Sequence, residues 1–361
     1  MNLTVGDVRR VSRDLLQAAG VAHEMAALTA QSIVLAEVWG LASHGVMRVP
    51  HYLRRLMAGG YSPTAELQEV RDTGPLVILD GGGGLGHGQL WKAAELAANR
   101  CAEHGISAVG VGNSGHAGAL GVYTLPVLDR GHVGLVLSCG PAAMPAWQGS
   151  SPVLSTSPLA AGIPCAPRPA IIDMASTTVA RGRIAEHAAR EESLPLGWAL
   201  DSEGRPTTDP ARALVGMLAP FGGAKGFALS FVIEALTAGL VGPLLSTEIP
   251  DMFVETQSSA PQRIAHLVIA LDPSKMDSSG DTAAAGARFN QLANSIVSSG
   301  ARIPGARRIN PDELDEGETI SLAPAVLAQI RDWADRLGVP WQVETPPRAG
   351  AHYSGNQTVN E

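Results

Sequence analysis

Residues 76–123 read LVILDGGGGLGHGQLWKAAELAANRCAEHGISAVGVGNSGHAGALGVY. A short apolar strand (Leu76–Leu79) meets a run of glycines, and an alanine-rich helix follows over Gln89–His104. A second apolar strand (Ala108–Val111) comes next, then a loop of small residues around His116 and a helix over Leu120–Asp129. Strands alternating with helices predict an α/β domain. Gly81-Gly82-Gly83-Gly84-Leu85-Gly86 also satisfies G-x-G-x-x-G in the strand-to-helix setting that a dinucleotide fold requires. The other half of that fingerprint is an acid at the end of the next strand, and here the strand ends Val111-Gly112-Asn113. A second match, Gly110-x-Gly112-x-x-Gly115, lies close by in a chain with 41 glycines, so the pattern is cheap. Turn formation is the stronger reading of these glycines.

The flanking segments have a different grammar. Val8, Val11, Leu15, Leu16 and Ala19 recur at helical spacing, and a second periodic run covers Ala26–Val38. A third helix is expected from Ser43, a good N-cap, to about Met57, with Pro50 leaving its first turn unsettled. Downstream, strands are expected at Val133–Ser138, Ala170–Asp173 and His266–Leu271, and helices at Gly226–Leu240 and Ala323–Leu337. Residues 140–172 read as ordered loop. The domain reading is a helical N-terminal segment (1–72), an α/β cofactor-binding domain (73–310) and a helical C-terminal segment (311–343). A polar tail (344–361) is expected to be disordered.

Composition narrows the function classes. The 361 residues are 45% hydrophobic and 17% charged, which suits a soluble globular chain rather than a disordered one. Acidic residues outnumber basic ones 34 to 26, so no basic footprint invites nucleic acid or an anionic membrane surface. Three cysteines at no recurring spacing argue against a disulfide framework and against a zinc site. The apolar stretch Gly226–Leu245 carries Glu234 at its middle, and a mid-bilayer carboxylate costs roughly 2.5–3.5 kcal/mol. With no charged-then-apolar leader at the start, a cytoplasmic protein is expected.

Two histidines stand out by their neighbours. If the segment after Ser43 is helical, His44, Arg48 and Tyr52 fall on one face at i, i+4 and i+8. An imidazole, a guanidinium and a phenol together suit a small carboxylate with an adjacent oxygen, because arginine can bind a carboxylate bidentately. A solvated face is the alternative. His116 lies just past the carboxyl end of a strand, among small residues that leave room for a ligand. An imidazole there can take or give a proton near neutrality; a loop histidine held by backbone bonds is the plainer possibility.

The chain resembles the malate/L-lactate dehydrogenase family, which also includes sulfolactate, ureidoglycolate and 2,3-diketogulonate dehydrogenases and cyclic-imine (piperideine- and pyrroline-2-carboxylate) reductases. The segments that carry the resemblance are GLASHGVMRVPHYLRRLMAGG (40–60), LGHGQ (85–89), GISAVGVGNSGHAGALGVY (105–123) and IIDMAST (171–177). PFGGAKGFALSFVIEALTAGLVG (220–242), HLVIALDP (266–273) and RIPGARR (302–308) complete the order. The resemblance implies a non-Rossmann α/β fold that binds NAD or NADP, with a helical domain built from the two ends of the chain, as a homodimer.

Position by position, the resemblance makes His116 the acid/base, with His44 beside it in the catalytic pair. It places Ser43, Arg48 and Tyr52 at the substrate. It places Cys139, Asp173, Met174, Ala175, Lys225 and Pro304-Gly305-Ala306 at the cofactor, with no metal. Departures from the family pattern are Ser155-Thr156-Ser157-Pro158 for Gly-Thr-Asn-Pro, Cys139 for serine, Ala306 for glutamate, Ala42 for a polar residue, and Trp147-Gln148-Gly149 for a glycine-rich turn. The implied reaction is hydride transfer between nicotinamide and a small 2-hydroxy or 2-oxo acid. Reduction of a cyclic 2-imino acid is the alternative, and a dinucleotide-binding protein without catalysis is the third.

Overall fold

The computed structural model describes residues 2–252 and 254–343; the tail expected to be disordered lies outside them. At the centre is a mixed sheet of seven strands: β1 (Gln68–Asp72), β2 (Leu76–Asp80), β3 (Ile106–Ser114), β4 (Val133–Ser138), β5 (Leu159–Ile163), β6 (Ala170–Met174) and β7 (Ile264–Leu271). Their order in space is β1-β2-β3-β7-β4-β5-β6. Only β2 and β3 run parallel, joined by the helix between them; β7 slots antiparallel between β3 and β4. The alternation in residues 76–123 thus reports one parallel pair, and the remaining pairs are antiparallel. A doubly wound sheet is parallel throughout its core.

Six helices matter for the site: α1 (Val5–Ala18), α2 (His23–Val38), α3 (Val49–Met57), α4 (Gly86–His104), α5 (Ala224–Glu234) and α6 (Pro324–Leu337). Val8, Val11 and Leu15 of α1 share one core with Val34, Leu53, Leu327 and Ile330, so the two ends of the chain pack together. Asn2–Thr4 pairs with Thr319–Ser321 in the same lobe. Helix α2 has no strong polar face because both sides are used. Ile33 and Val34 enter this helical core, while Leu35 and Ala36 enter the sheet core with Val77, Leu90 and Val111.

The structure corrects four expectations. The third helix begins at Val49, not after Ser43, and Pro50 sits comfortably in its first turn. Ser43 caps nothing; residues Ala42–His44 and Val46–Arg48 form two 3-10 turns. Glu37 explains the break, because its carboxylate accepts the Val46 N–H at 2.8 Å and fills the space a side chain at Gly45 would need. Second, residues 140–172 are not loop: they contain β5 and a two-strand pairing of Met144–Pro145 with Pro152–Leu154. Small residues hid β5; at Gly162 a β-carbon would come 2.8 Å from Thr124. Third, Leu120–Asp129 is a 3-10 segment (Leu120–Thr124) followed by a single helical turn (Leu125–Leu128). Fourth, the apolar helix starts at Ala224 and ends in a π turn over Ala235–Gly239.

The glycine run forms a turn whose amides are all used within the chain. Gly81 N–H goes to Gly112, Gly82 N–H to the Asp80 carboxylate, Gly83 N–H to Asn113 and Gly84 N–H to Gly81. None is left to cradle a phosphate. Gly86 opens α4 against the backbone of the His116 loop, where a β-carbon would collide with the Gly115 carbonyl. Gly86→Ala is therefore expected to cost about 2–3 kcal/mol of stability, as overpacking against rigid backbone does. A shift in the denaturant midpoint measures it, and a change below about half a kcal/mol would mean that the loop yields.

Candidate active site

Four segments converge at the carboxyl end of β3: the turns at 42–48, the first turns of α3, the start of α4 and the loop 115–119. The loop takes its shape from Asn113 and Gly118, both in the left-handed region. Asn113 is held there by its side-chain amide, which donates to Asp80 at 2.9 Å. His116 faces inward, with Nδ1 2.9 Å from the Tyr52 hydroxyl and accepting the Gly118 N–H at 3.3 Å. His44 stacks on His116 with ring centroids 6.0 Å apart. Ser43 Oγ lies 2.9 Å from His44 Nδ1, and Arg48 Nε donates to the Ser43 carbonyl at 2.6 Å. Ser43, His44, Arg48, Tyr52 and His116 thus come together, though through two short turns and a helix rather than along one helical face.

The cofactor-side candidates are placed by contacts of their own. Asp173, at the end of β6, accepts the Gly121 N–H at 2.9 Å and so ties that strand to the chain just after His116. Met174 is exposed and Ala175 half-buried. The next residue, Ser176, accepts the Phe221 N–H at 3.1 Å and lies 2.8 Å, Oγ to Oγ, from Ser230. These contacts seat the Gly222–Gly226 turn beside the Asp173-Met174-Ala175 segment. Lys225 is exposed on that turn, next to Gly222 and Gly223, both at positive φ. Pro304 accepts the Ile171 N–H at 3.0 Å, and Gly305 lies against β6 with φ +71°, where any side chain would strike Ile171; Ala306 is half-buried beside it. Cys139 is buried, its sulfur accepting the Ala265 N–H at 3.3 Å, and burial pushes the thiol up to about 12.

Two further histidines reach the same place; they fall in the segments LGHGQ and HLVIALDP, where the sequence assigns neither a role. His266, on β7, donates from Nε2 to the Gly115 carbonyl at 3.0 Å and lies 2.8 Å from Ser138 Oγ through Nδ1. It anchors the base of the His116 loop to the middle of the sheet. His87, in the first turn of α4, meets the Tyr52 ring edge to face at 4.8 Å. Only the small residues flanking it, Gly86 and Gly88, hinted at a crowded position.

A family model described as malate/L-lactate dehydrogenase matches residues 3–331. The chain belongs to the malate/L-lactate dehydrogenase family. It is 35% identical over 320 residues to a (2R)-3-sulfolactate dehydrogenase (NADP(+)) of Chromohalobacter salexigens, covering 88% of this chain and 94% of the relative. It is 32% identical to a Delta(1)-pyrroline-2-carboxylate reductase of Agrobacterium fabrum, covering 91% and 94%. Among solved structures, sulfolactate dehydrogenase from Methanocaldococcus jannaschii superposes with a TM-score of 0.83 at 28% identity, covering 94% of this chain and 98% of that one. Dehydrogenases and reductases thus surround the chain on every side, and as a member of this family it is an oxidoreductase.

In this family member the site's electrostatics follow from burial. It lowers His44 and His266 to about 4 and His87 to about 3; Arg48 adds to the effect at His44. His116 is also held well below its ordinary range, first by burial and then by His44, His87, Arg48 and His266. Burial pushes the Tyr52 phenol up, so it stays a neutral hydroxyl. Arg48 is lowered, chiefly by burial, and remains the site's cation. The imidazoles are therefore neutral, around one buried positive charge.

That pattern has a consequence for stability. Between pH 6.5 and about 4 the unfolded chain protonates these histidines while the folded protein does not, so unfolding takes up protons. Stability is thus fully present above pH 6.5 and falls as pH drops through this window, by up to about 1.4 kcal/mol per pH unit for each such ring. Melting temperatures recorded from about pH 7 to about pH 5 are expected to decline steadily. A flat profile would contradict the neutral burial of the cluster.

Proposed function

We propose that the protein transfers a hydride reversibly between NAD or NADP and the carbon beside a small molecule's carboxylate, a 2-hydroxy acid in one direction and a 2-oxo acid in the other. The observation that carries this reading is the convergence of His116, Tyr52, His44 and Arg48, a proton-handling imidazole beside a buried guanidinium. The names of the relatives point the same way: sulfolactate dehydrogenases, one of them named for NADP(+). The residues present fit a dinucleotide, since an exposed lysine stands in the first turn of α5, where a helix N-terminus favours an anion. Lys225 would hold a phosphate there, with Met174 and Ala175 on the neighbouring segment.

In this mechanism Arg48 binds and orients the carboxylate through its planar fork. His44 and Tyr52 border the remaining oxygens. His116 takes the hydroxyl proton during oxidation and returns it during reduction, through Nε2, which has no hydrogen-bond partner among the described residues. The bound nicotinamide supplies or accepts the hydride. His266 holds the loop still, and the protein's contribution is orientation and charge placement. Reduction of a cyclic 2-imino acid by the same residues is the second reading, favoured by the likeness to Delta(1)-pyrroline-2-carboxylate reductases.

A panel of small 2-oxo acids and cyclic imino acids, assayed by absorbance with NADH and NADPH separately, tests the proposal and separates the two readings. Consumption of coenzyme with at least one panel member is expected. No turnover and no coenzyme binding by titration would overturn it, together with the third reading of an idle dinucleotide-binding protein. Lys225→Ala is expected to weaken coenzyme binding by about 1.5–3 kcal/mol, as loss of a charge-assisted hydrogen bond does, with folding little changed. An unaltered dissociation constant would place this lysine in solvent.

The assembly proposed is a homodimer in the cytoplasm. Phe231, Val232 and Leu240, on α5 and its extension, are exposed apolar side chains that a second copy would cover. Three unpaired cysteines suit a reducing compartment. Among the described residues no helix is long and apolar enough to cross a membrane. Light scattering on the purified protein checks the dimer; a monomer would leave that apolar face unexplained.

A further inference from the structure

Trp147 stands where the sequence departs from the family's glycine-rich turn, and the mechanism above gives it no part. Its indole is 49% exposed, yet the segment that carries it is firmly held. Met144–Pro145 pairs antiparallel with Pro152–Leu154, and Met144 is completely buried. At the base of this hairpin the Ala143 N–H donates to the Leu154 carbonyl at 2.8 Å, and the Ala143 carbonyl accepts the Leu218 N–H at 2.9 Å. At its tip the Gly149 N–H donates to the Ala146 carbonyl at 2.8 Å, with Gln148 in the left-handed region. Ser150 closes against Gly204, where a β-carbon would come 2.8 Å from the Ser150 Cα. Backbone contacts therefore place the indole, and half of it faces water.

The indole meets the protein at the coenzyme turn. A β-carbon at Gly223, the N-cap of α5, would come 2.8 Å from both Cζ3 and Cη2 of Trp147, and Gly223 itself has φ +64°, which favours glycine. Glycine at this position lets the outer edge of the ring lie on the backbone. Two residues on stands Lys225, assigned above to a coenzyme phosphate. Leu218, which holds the hairpin base, runs straight into the same turn, so hairpin and turn are tied together. A nucleotide whose phosphate sits at a helix N-terminus carries a flat ring one ribose away, and aromatic side chains bind such rings by stacking. We propose that Trp147 is a wall of the coenzyme site, its indole stacking on a planar ring of the bound dinucleotide. The assignment rests on the dinucleotide reading above, with its phosphate at Lys225. Adenine and nicotinamide offer the same flat face, and fragments of the coenzyme tell them apart. A second copy of the chain is the competing cover. The apolar side chains assigned to that copy begin at Phe231, about 12 Å further along α5 at ~1.5 Å per residue.

Calorimetric titration of the parent, Trp147→Leu and Trp147→Phe with NADH and NADPH, in the absence of any substrate acid, tests this. Leucine keeps an apolar contact with Gly223 but has no ring. For the coenzyme that the parent binds, the dissociation constant is expected to rise roughly tenfold or more in Trp147→Leu, as removal of a stacking ring does, and to stay within about fivefold in Trp147→Phe. AMP and nicotinamide mononucleotide are titrated alongside, and the fragment that loses affinity in the leucine variant names the ring. Light scattering is expected to give both variants the mass of the parent. An unchanged dissociation constant in Trp147→Leu, with a parent that binds coenzyme, overturns this assignment alone. Equal losses in the leucine and phenylalanine variants also overturn it, because packing on Gly223 would then distinguish neither ring nor chain. A leucine variant whose mass falls, and whose affinity returns at high protein concentration, overturns it in favour of a second copy as the cover. A parent that binds neither coenzyme overturns the hydride-transfer reading and this one with it.

Discussion

His116→Ala is expected to lower turnover by roughly a hundredfold or more, with coenzyme affinity unchanged. The proton at issue moves only as the reaction proceeds, so its loss weighs on kcat rather than on binding. Geometry supports a specific partition: Tyr52 and Gly118 hold Nδ1, and Nε2 is left for the reactant. Removing the ring also frees Tyr52, yet the loop stays pinned by His266 at Gly115, so the fold survives the change. Steady-state kinetics with a parallel coenzyme titration checks this. Turnover within a few-fold of the parent would remove His116 as the acid/base and pass that role to His44, whose ring stacks against it.

Arg48→Lys separates charge from geometry. The substrate carboxylate keeps its charge throughout, so Arg48 acts mainly in binding. Lysine retains the charge but lacks the planar fork, and it also loses the Nε bond that ties Arg48 to the Ser43 carbonyl. KM is expected to rise ten- to a hundredfold, about 1.4–2.7 kcal/mol, while kcat changes less. The buried setting makes the effect large, because a charge-assisted pair there is little screened by water. A KM within twofold of the parent would place the carboxylate elsewhere.

Much of this site was legible in the residues and some of it could not be. The strand–glycine–helix–strand run at 76–123 correctly marked β2, α4 and β3, because apolar blocks and glycine stops are local signals. The antiparallel entry of β7 between β3 and β4 pairs residues 128 to 165 positions apart, and no local pattern encodes it. β5 carries little apolar signal because Ala160-Ala161-Gly162 at its centre are small, Gly162 being held so by the close approach of Thr124 and Leu128. Ser43 looked like a helix cap by type, and only the Glu37 carboxylate on Val46 shows why the helix waits until Val49. Helical spacing groups His44, Arg48 and Tyr52, and they do meet, but by way of two 3-10 turns. His87 and His266 reach the site through tertiary packing alone, which is why neither stood out in a chain with ten histidines.

The most direct measurement follows the hydride itself. The purified protein is given reduced coenzyme with both hydrogens at nicotinamide C4 replaced by deuterium, together with the panel acid it turns over, and the product is examined by mass spectrometry and NMR. Hydride transfer beside the carboxylate requires one deuterium at C2 of the product, with a matching loss from the coenzyme and solvent hydrogen confined to the new hydroxyl or amine. Product with no deuterium at C2, or with deuterium at another carbon, would contradict it.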